Sequence, residues 1–322
     1  MLQINYACVF CLSILSFSIM TQLPTALSYS INKPDSKDLT FKIWKNDSEN
    51  PFSDLSRYNY FTLICLNKGN ITLKADLATH QVQENAVLFF SPYQPFKLET
   101  DEVLDLTIIN FHPDFFCILK HQKEVSCNGV LFNNLYDTPF VQLNNQQRAM
   151  LDILLQQMID EIQQQELAQY DLLVSYLKIF LIHTTRFKTQ EQDAHSQNEA
   201  VVSVPERPVL QKLKEHIEQY FIKEHSPSFY ADSLNISLKA LGKITKKHFD
   251  KSPSEMIQER LMMEAKRELY LTDKSVKEIA YNLGFDDEYY FSRLFKKNTD
   301  TSPLHYRKTV GEDQARKLNI EF

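Results

Sequence analysis

The hydrophobic pattern changes its period near residue 144, and this change divides the chain into two kinds of structure. Before it, short segments rich in β-branched and aromatic residues alternate with turn signals such as Asn67-Lys68-Gly69-Asn70, which is typical of β-strands. After it, apolar residues recur three and four positions apart, which is typical of helices. The pattern predicts a small β-barrel or sandwich with strands at Leu39–Lys45, Tyr58–Asn67, Ile71–Ala75, Ala86–Ser91, Phe96–Glu99 and Val103–Phe111.

Two amphipathic helices are predicted between Asn144 and Thr185, each with one apolar stripe. Two interpretations of the stripes remain open. Either both cover the β-domain, or one of them pairs with the same stripe of a second copy and forms a homodimer through residues 144–185. The stripes consist of Leu151, Leu154, Leu155, Met158, Ile159 and Ile162, and of Leu173, Tyr176, Leu177, Phe180 and Leu181.

A chain of 322 residues is long enough for two domains. The expected fold class is α+β multidomain, in which a β-barrel or sandwich with a helical pair precedes an all-α domain. We predict the following boundaries: an apolar leader at 1–30, the β-domain at 31–140, the helical pair at 141–187, a polar linker at 188–208 and the all-α domain at 209–310.

The amino-terminal leader carries no charged side chain over residues 1–32, and residues 6–20 are mostly apolar. The leader lacks the basic start of a signal peptide, and its apolar run is shorter than the roughly 20 apolar residues that span a bilayer. Our first interpretation is that translation starts at Met20, and our second is that residues 6–20 tether the chain to a membrane. The five irregularly spaced cysteines indicate buried thiols in a reducing compartment, so a cytoplasmic location is expected.

The charge pattern does not by itself point to a nucleic acid, because the formal net charge is -6. From residue 205 to the end, however, 21 Lys and Arg stand against 19 Asp and Glu, so the carboxy-terminal part is mildly basic. We find no phosphate-binding loop, nucleophile elbow or paired zinc cysteines, and His80, His112 and His121 are scattered. We therefore predict no enzyme activity, no cofactor and no metal site.

The strongest signal is a pair of helix-turn-helix units. This motif needs a small residue where its helices cross, a tight turn and apolar positions that lock the pair. In the second unit Ala280 is the small residue, Gly284 makes the turn, and Ile279, Phe285, Phe291 and Phe295 form the core. In the first unit the corresponding residues are Ala231, Leu234, Ser237 and Leu241.

A long helix is predicted to join the two units. It begins at the capping box Ser252-Pro253-Ser254-Glu255 and continues to about Tyr270. About 18 residues give it a length of roughly 27 Å, and major grooves recur on one face of DNA about every 34 Å. Such a helix could hold two recognition helices in successive major grooves of one duplex.

These segments resemble the DNA-binding domain of the AraC/XylS regulators over about 100 residues. The resemblance departs from the family at four positions. Asp250 and Asp300 stand where the family usually has Gly, Thr245 stands where an apolar residue is usual, and Gly242 lies inside the first recognition helix. The residues that carry the resemblance are, in the second unit, Ile279-Ala280, Gly284-Phe285, Phe291-Ser292-Arg293, Phe295-Lys296-Lys297, Ser302-Pro303 and Tyr306-Arg307. In the first unit they are Ala231, Leu234, Ser237, Leu241, Lys251-Ser252-Pro253, Arg260-Leu261, Ala265 and Leu269.

The resemblance implies which side chains contact double-stranded DNA. Arg293 could donate two hydrogen bonds to O6 and N7 of a guanine, and Glu288 could accept one from N4 of a cytosine. Asp286 or Asp287 is expected to cap the recognition helix. The implied base contacts are Lys239, Gly242 and Lys243 in the first unit and Glu288, Tyr289, Tyr290 and Arg293 in the second. The implied phosphate contacts are Lys246, Lys247, Lys296, Lys297 and Arg307.

The strands before residue 112 resemble the family's cupin-like effector domain through Asn67-Lys68-Gly69, residues 86–92 and Pro95-Phe96. The resemblance implies a transcription regulator associated with the nucleoid, with an unidentified small-molecule effector and RNA polymerase as a partner. Two alternatives are kept: a metal-dependent cupin enzyme fused to a helical domain, and a membrane-tethered regulator.

Overall fold

A computed structural model describes residues 28–32, 39–76, 78–118, 130–132, 137–164, 166–198 and 207–310. The predicted start at Met20, the apolar run at 6–20, His121 and Cys127 lie outside these residues. No helix in the described ranges is long and apolar enough to cross a membrane.

The amino-terminal part consists of two antiparallel sheets. The strands are β1 Ser28–Asn32, β2 Leu39–Asn46, β3 Phe61–Lys68, β4 Ile71–Ala75, β5 Ala78–Val82, β6 Ala86–Phe90, β7 Phe96–Glu99, β8 Asp105–Phe111 and β9 Phe140–Gln142. One sheet has the strand order β1-β2-β8-β3-β6-β9 and the other has the order β5-β4-β7. The structure adds three strands that we did not predict, β1, β5 and β9.

The larger sheet is buried on both faces, as the central strand β3 shows. Successive side chains of a strand point to opposite faces. Ile64 and Leu66 belong to the apolar cluster that also contains Leu73 and Leu98 of the smaller sheet. Leu63 and Cys65 belong to the cluster on the other face, which the helical pair covers. This double burial explains why β3 and β6 are almost continuously apolar instead of alternating.

The helical pair consists of α1 (Asn145–Gln164) and α2 (Gln169–Asn198). Leu151, Leu155 and Met158 of α1 are buried in the same cluster as Leu177 and Phe180 of α2. The structure therefore favours the interpretation that the two apolar stripes cover the β-domain.

The predicted linker at 188–208 is wrong in its first part, because α2 continues to Asn198. Lys188 holds this extension to the sheet. Its ammonium is almost fully buried and donates to Thr138 Oγ1 at 2.7 Å and to the carbonyl of Phe140 at 2.6 Å. The extension has no apolar stripe, and so the periodicity of the sequence did not reveal it. Residues 199–206 lie outside the described ranges.

The carboxy-terminal part is entirely helical in the described residues 207–310. Its core contains Leu241, Ile279, Ala280, Phe291 and Phe295, each fully buried. A β-rich part followed by an all-α part confirms the predicted fold class. The helices are α3 Arg207–Tyr220, α4 Pro227–Ser233, α5 Leu238–Phe249, α6 Pro253–Leu271, α7 Val276–Asn282, α8 Glu288–Thr299 and α9 Pro303–Val310.

The two parts contact each other directly, largely at the last helix. Tyr93 Oη lies 2.6 Å from Thr309 Oγ1, and His112 Nε2 lies 2.8 Å from the carbonyl of Thr309. Because the backbone amide of Asp114 donates to His112 Nδ1, this imidazole can donate its Nε2 proton to Thr309. Cys117, from the segment after β8, is buried in the core of the helical part.

Candidate nucleic-acid interface

The first helix-turn-helix unit is formed by α4 and α5. Ala231 is buried where the two helices meet, Leu241 is fully buried, and Leu234 packs against the same core. Ser237 caps α5, since its hydroxyl accepts the backbone amide of Ala240 at 3.2 Å. A serine at this position satisfies one of the free amides at a helix start and therefore determines where α5 begins.

The second unit is formed by α7 and α8. Ser275 and Glu278 form a reciprocal capping box on α7, in which the backbone amide of Ser275 lowers the pKa of Glu278. Asp287 caps α8, because its side chain accepts a hydrogen bond from the backbone amide of Tyr289 at 2.8 Å. Of the two predicted caps, Asp286 and Asp287, the structure thus has Asp287. Between the helices, Gly284 adopts a φ of +80, which is the left-handed region that the turn requires.

Helix α6 joins the units as a single element of 19 residues, about 28 Å long. Its start is defined by a capping box of Ser252 and Glu255 with Pro253 in the first turn. Met256, Leu261 and Ala265 are buried in the common core with both units. The two recognition helices, α5 and α8, are thus attached to one rigid support.

The predicted base-contact residues lie on exposed faces near the starts of these recognition helices. In α8, Tyr289 and Tyr290 are 69% and 53% exposed and Glu288 is half-buried. The Arg293 side chain is 72% exposed, with its Nη2 3.9 Å from Asp287 Oδ2. The distance leaves the guanidinium free to form other hydrogen bonds. Three of the four second-unit candidates are therefore exposed near the start of α8, and Glu288 is half-buried there.

The first unit presents fewer donors. Lys239 and Lys243 of α5 are exposed, while Gly242 between them has no neighbouring atom within 4 Å of the position where a Cβ would lie. Thr245, at the position where an apolar residue was expected, is fully buried and donates to the carbonyl of Gly242 at 3.3 Å. The helix itself satisfies this hydroxyl, which explains why it is tolerated inside the core.

The predicted phosphate contacts separate into two groups. Lys296 and Lys297 are exposed in the last turn of α8, and Lys246 is exposed but paired with Asp250 at 2.7 Å. Lys247 is also exposed, and it lines a cavity between α5 and the β-domain.

Arg307 has a different position from the one expected of a phosphate contact. Its Nε donates to the carbonyl of Leu269 at 3.1 Å, and its Nη2 donates to the carbonyl of Lys274 at 2.5 Å. These bonds satisfy carbonyls at and beyond the end of α6, where a helix leaves acceptors unpaired. Arg307 therefore links α9 to the α6–α7 connection inside the domain.

Sequence reasoning missed the residues that tie the two units together. His225, in the connection between α3 and α4, lies with Nε2 3.0 Å from the carbonyl of Leu283 in the second unit. The carbonyl of Ile222 lies beside Gly284. No local pattern marks contacts between residues about 60 positions apart in the chain. In the part of the chain that the structure describes, no group of three or more His, Cys, Asp or Glu side chains could hold a metal ion.

Comparison with known proteins identifies the helical part. A family model described as a helix-turn-helix domain matches residues 230–309. The chain is 33% identical over 99 residues to the HTH-type transcriptional activator RhaS of Enterobacter sp., a match that covers 31% of this chain and 36% of RhaS. It is 35% identical over 78 residues to the raffinose operon transcriptional regulatory protein RafR of Pediococcus pentosaceus, covering 24% and 28% of the two chains. The matched segment thus spans about a third of the length of these curated relatives, which are regulators by name.

Among solved structures, the chain is similar to ToxT from Vibrio cholerae, with 14% identity and a TM-score of 0.39 over 89% of this chain and 98% of that one. It is also similar to the C-terminal domain of AraT, a response regulator from Geobacillus stearothermophilus. That match has 28% identity and a TM-score of 0.32, and it covers 33% of this chain and 89% of the other. The predicted resemblance of the carboxy-terminal region is confirmed by the family model and the curated relatives.

Proposed function

We propose that the chain is a sequence-specific DNA-binding transcription regulator, because its carboxy-terminal region is a helix-turn-helix domain of the AraC type. The observation that supports this best is the mounting of two recognition helices, α5 and α8, on the single helix α6. Helix α6 is about 28 Å long, of the same order as the roughly 34 Å repeat of the major groove, and this supports the entry of one domain into two successive grooves of a duplex.

The chemistry of the two faces gives each unit a different share of the recognition. In the second unit, Arg293 donates two hydrogen bonds to a guanine, Glu288 accepts from a cytosine amine, and Tyr289 and Tyr290 contact neighbouring bases. In the first unit, Lys239 and Lys243 supply donors, and Gly242 offers no side chain. Lys246, Lys296 and Lys297 contact phosphates, which position the domain without specifying sequence.

The test is selection of the full chain against a pool of random 30-base-pair duplexes at about 50 mM and 200 mM salt. We expect an enriched site with two short boxes about one helical turn apart. Specific and random duplexes should both lose affinity as salt rises, while the enriched site keeps its advantage. Retention of duplexes without any enriched sequence at either salt concentration would contradict sequence-specific regulation.

The amino-terminal β-domain is, in this proposal, a cupin-like regulatory domain that takes a small-molecule effector. RNA polymerase is the further partner that the regulatory function requires, and the cytoplasm is the place of action. The carboxy-terminal domain contacts this β-domain through Thr309 and Cys117, so a change in one part can reach the other.

Homodimerisation through residues 144–185 completes the proposal. The buried stripes of α1 and α2 are occupied by the sheet, but the outer face of the pair still carries apolar side chains. Met150 and Ile153 of α1, and Leu172 and Ile179 of α2, are 38% to 62% exposed. Adjacent exposed apolar side chains at helical spacing are typical of a helix–helix interface.

We expect Ile153→Glu to dissociate this dimer, because it buries a carboxylate in an apolar contact. Sedimentation velocity of the full chain measures the outcome. Gln163→Glu is the matched change of charge: Gln163 is exposed on α1 nearly three turns beyond Ile153, on the side of the helix away from Met150, and the change should leave the dimer intact. A dimer of unchanged stability in Ile153→Glu would place the interface elsewhere.

A further inference from the structure

Both recognition helices end at an aspartate in the left-handed backbone conformation. Asp250 follows α5 with a φ of 54, and Asp300 follows α8 with a φ of 61. The two residues correspond, since each stands at the same distance from its N-cap, Ser237 or Asp287. Glycine adopts this conformation at least cost, and a side chain makes it less favourable. Each of the two aspartates therefore carries a conformational cost, which the contacts of its carboxylate can offset.

Both aspartates lie against the β-domain. Asp300 Oδ2 accepts from Arg57 Nη1, in the segment before β3, at 3.1 Å. The pKa of Asp250 is lowered mainly by the Lys246 ammonium and also by the backbone amide of Thr79 in β5. Thr79 and Asp250 also line one cavity of about 260 Å³ between the β-domain and the end of α5. The β-domain thus hydrogen-bonds to this point of the second unit through Arg57, and at the corresponding point of the first unit Thr79 and Asp250 share the lining of a cavity.

The contacts lie at the ends of the helices opposite to the predicted reading surfaces. Helices α5 and α8 have 12 residues each, about 18 Å from first to last residue. The candidates for base contacts stand near the first turns, where Tyr289 and Lys239 are exposed. The β-domain can therefore hold the last residues of both helices without covering the candidates for base contacts.

We propose that Asp250 and Asp300 are positioning residues through which Thr79 and Arg57 of the β-domain brace both recognition helices for DNA reading. This inference rests on the proposed function for its effect on DNA and on the structure alone for the docking. Because the brace acts on equivalent positions of the two units, any shift of the β-domain moves both recognition helices together. The isolated helical domain would keep its fold but would lose this external alignment.

The docking is tested first without DNA, through the thiol of Cys117. This thiol is buried between the two parts, whereas Cys65 is buried inside the β-domain. The full chain carries Cys8→Ser, Cys11→Ser and Cys127→Ser, so that only these two thiols react with N-ethylmaleimide. In the Asp250→Gly/Asp300→Gly variant we expect Cys117 to react about tenfold faster, since the contact between the two parts is weakened. The factor is only about tenfold because exposed ion pairs and single hydrogen bonds contribute modestly to the stability of such a contact. Cys65 should react at an unchanged rate.

Three comparisons make this result specific. Asn235→Gly changes another left-handed residue of the same domain, with a φ of 54, and should leave the Cys117 rate unchanged. Arg57→Gln leaves the helical domain unaltered and should raise the rate in the same direction as Asp300→Gly. The double glycine variant should melt no lower than the parent chain, because the backbone strain is relieved. A Cys117 rate equal to that of the parent would overturn the brace.

The second arm measures affinity for the duplexes that the parent chain enriches, relative to random duplexes. This ratio removes any change caused by freeing Lys246 for phosphate contact. We expect the ratio to fall about tenfold in the double glycine variant, with the same box sequences enriched. An unchanged ratio alongside an exposed Cys117 would overturn the positioning role. If the parent enriches no sequence, the proposed function fails, while the Cys117 rates still decide whether the brace exists.

Discussion

Gly284→Ala is expected to lower the free energy of unfolding of the helical domain by about 3 kcal/mol or more, enough to leave it largely unfolded. Two costs add together. Gly284 has a φ of +80, which alanine adopts only with strain, and a Cβ there would clash with the carbonyl oxygen of Ile222. That oxygen belongs to the backbone after α3, and it cannot move without displacing the loop that carries His225.

Gly242→Ala is the matched control, because it makes the same chemical change in the same domain. Gly242 lies inside α5, where nothing would touch a Cβ within 4 Å. The substitution should therefore raise the free energy of unfolding by about 0.5–1 kcal/mol through helix propensity. Urea unfolding of the full chain, followed by circular dichroism, measures both variants. A loss of less than about 1 kcal/mol for Gly284→Ala would contradict the close packing of this turn.

The comparison of the two glycines shows what the sequence could and could not predict. The position of Gly284 after Leu283 signals a helix end, and the conformation follows from local chemistry. The proximity of Ile222 does not follow, because it depends on how the two units pack across α6. For the same reason the cores of both units were predicted from apolar spacing, whereas the contact of His225 with Leu283 was not.

Polar residues at the domain boundary were the least predictable part of the site. Arg307 was predicted as a phosphate contact, and the sequence offers no local signal that distinguishes such a contact from a bond inside the domain. The carbonyls of Leu269 and Lys274 that it binds, and the cavity that Lys247 lines, are determined by tertiary packing. The extension of α2 was missed because a polar helix that is held by one buried lysine has no hydrophobic period.

Arg293→Ala is expected to weaken binding to the selected operator by about 1–3 kcal/mol, roughly 5- to 150-fold, and to relax the preference at one base pair. The cause is the loss of two hydrogen bonds to a base edge from a side chain that is 72% exposed and whose ion pair with Asp287 is long, at 3.9 Å. Binding titrations of the full chain on the selected duplex and on its single-base variants measure the change. An equal loss on selected and random duplexes would contradict a base-reading role for Arg293.

Two matched variants separate base reading from simple loss of positive charge. Lys296→Ala removes a charge one turn further along α8, and it should weaken all duplexes alike and reduce the salt slope by about 0.9. Lys243→Ala removes the residue of α5 that stands at the same distance from its N-cap as Arg293 does from Asp287. Since lysine forms no bidentate fork and Gly242 beside it adds no contact, the loss of selectivity should be smaller than for Arg293→Ala. If Lys243→Ala causes the larger loss, the first unit reads most of the operator and the second unit serves mainly to anchor the domain.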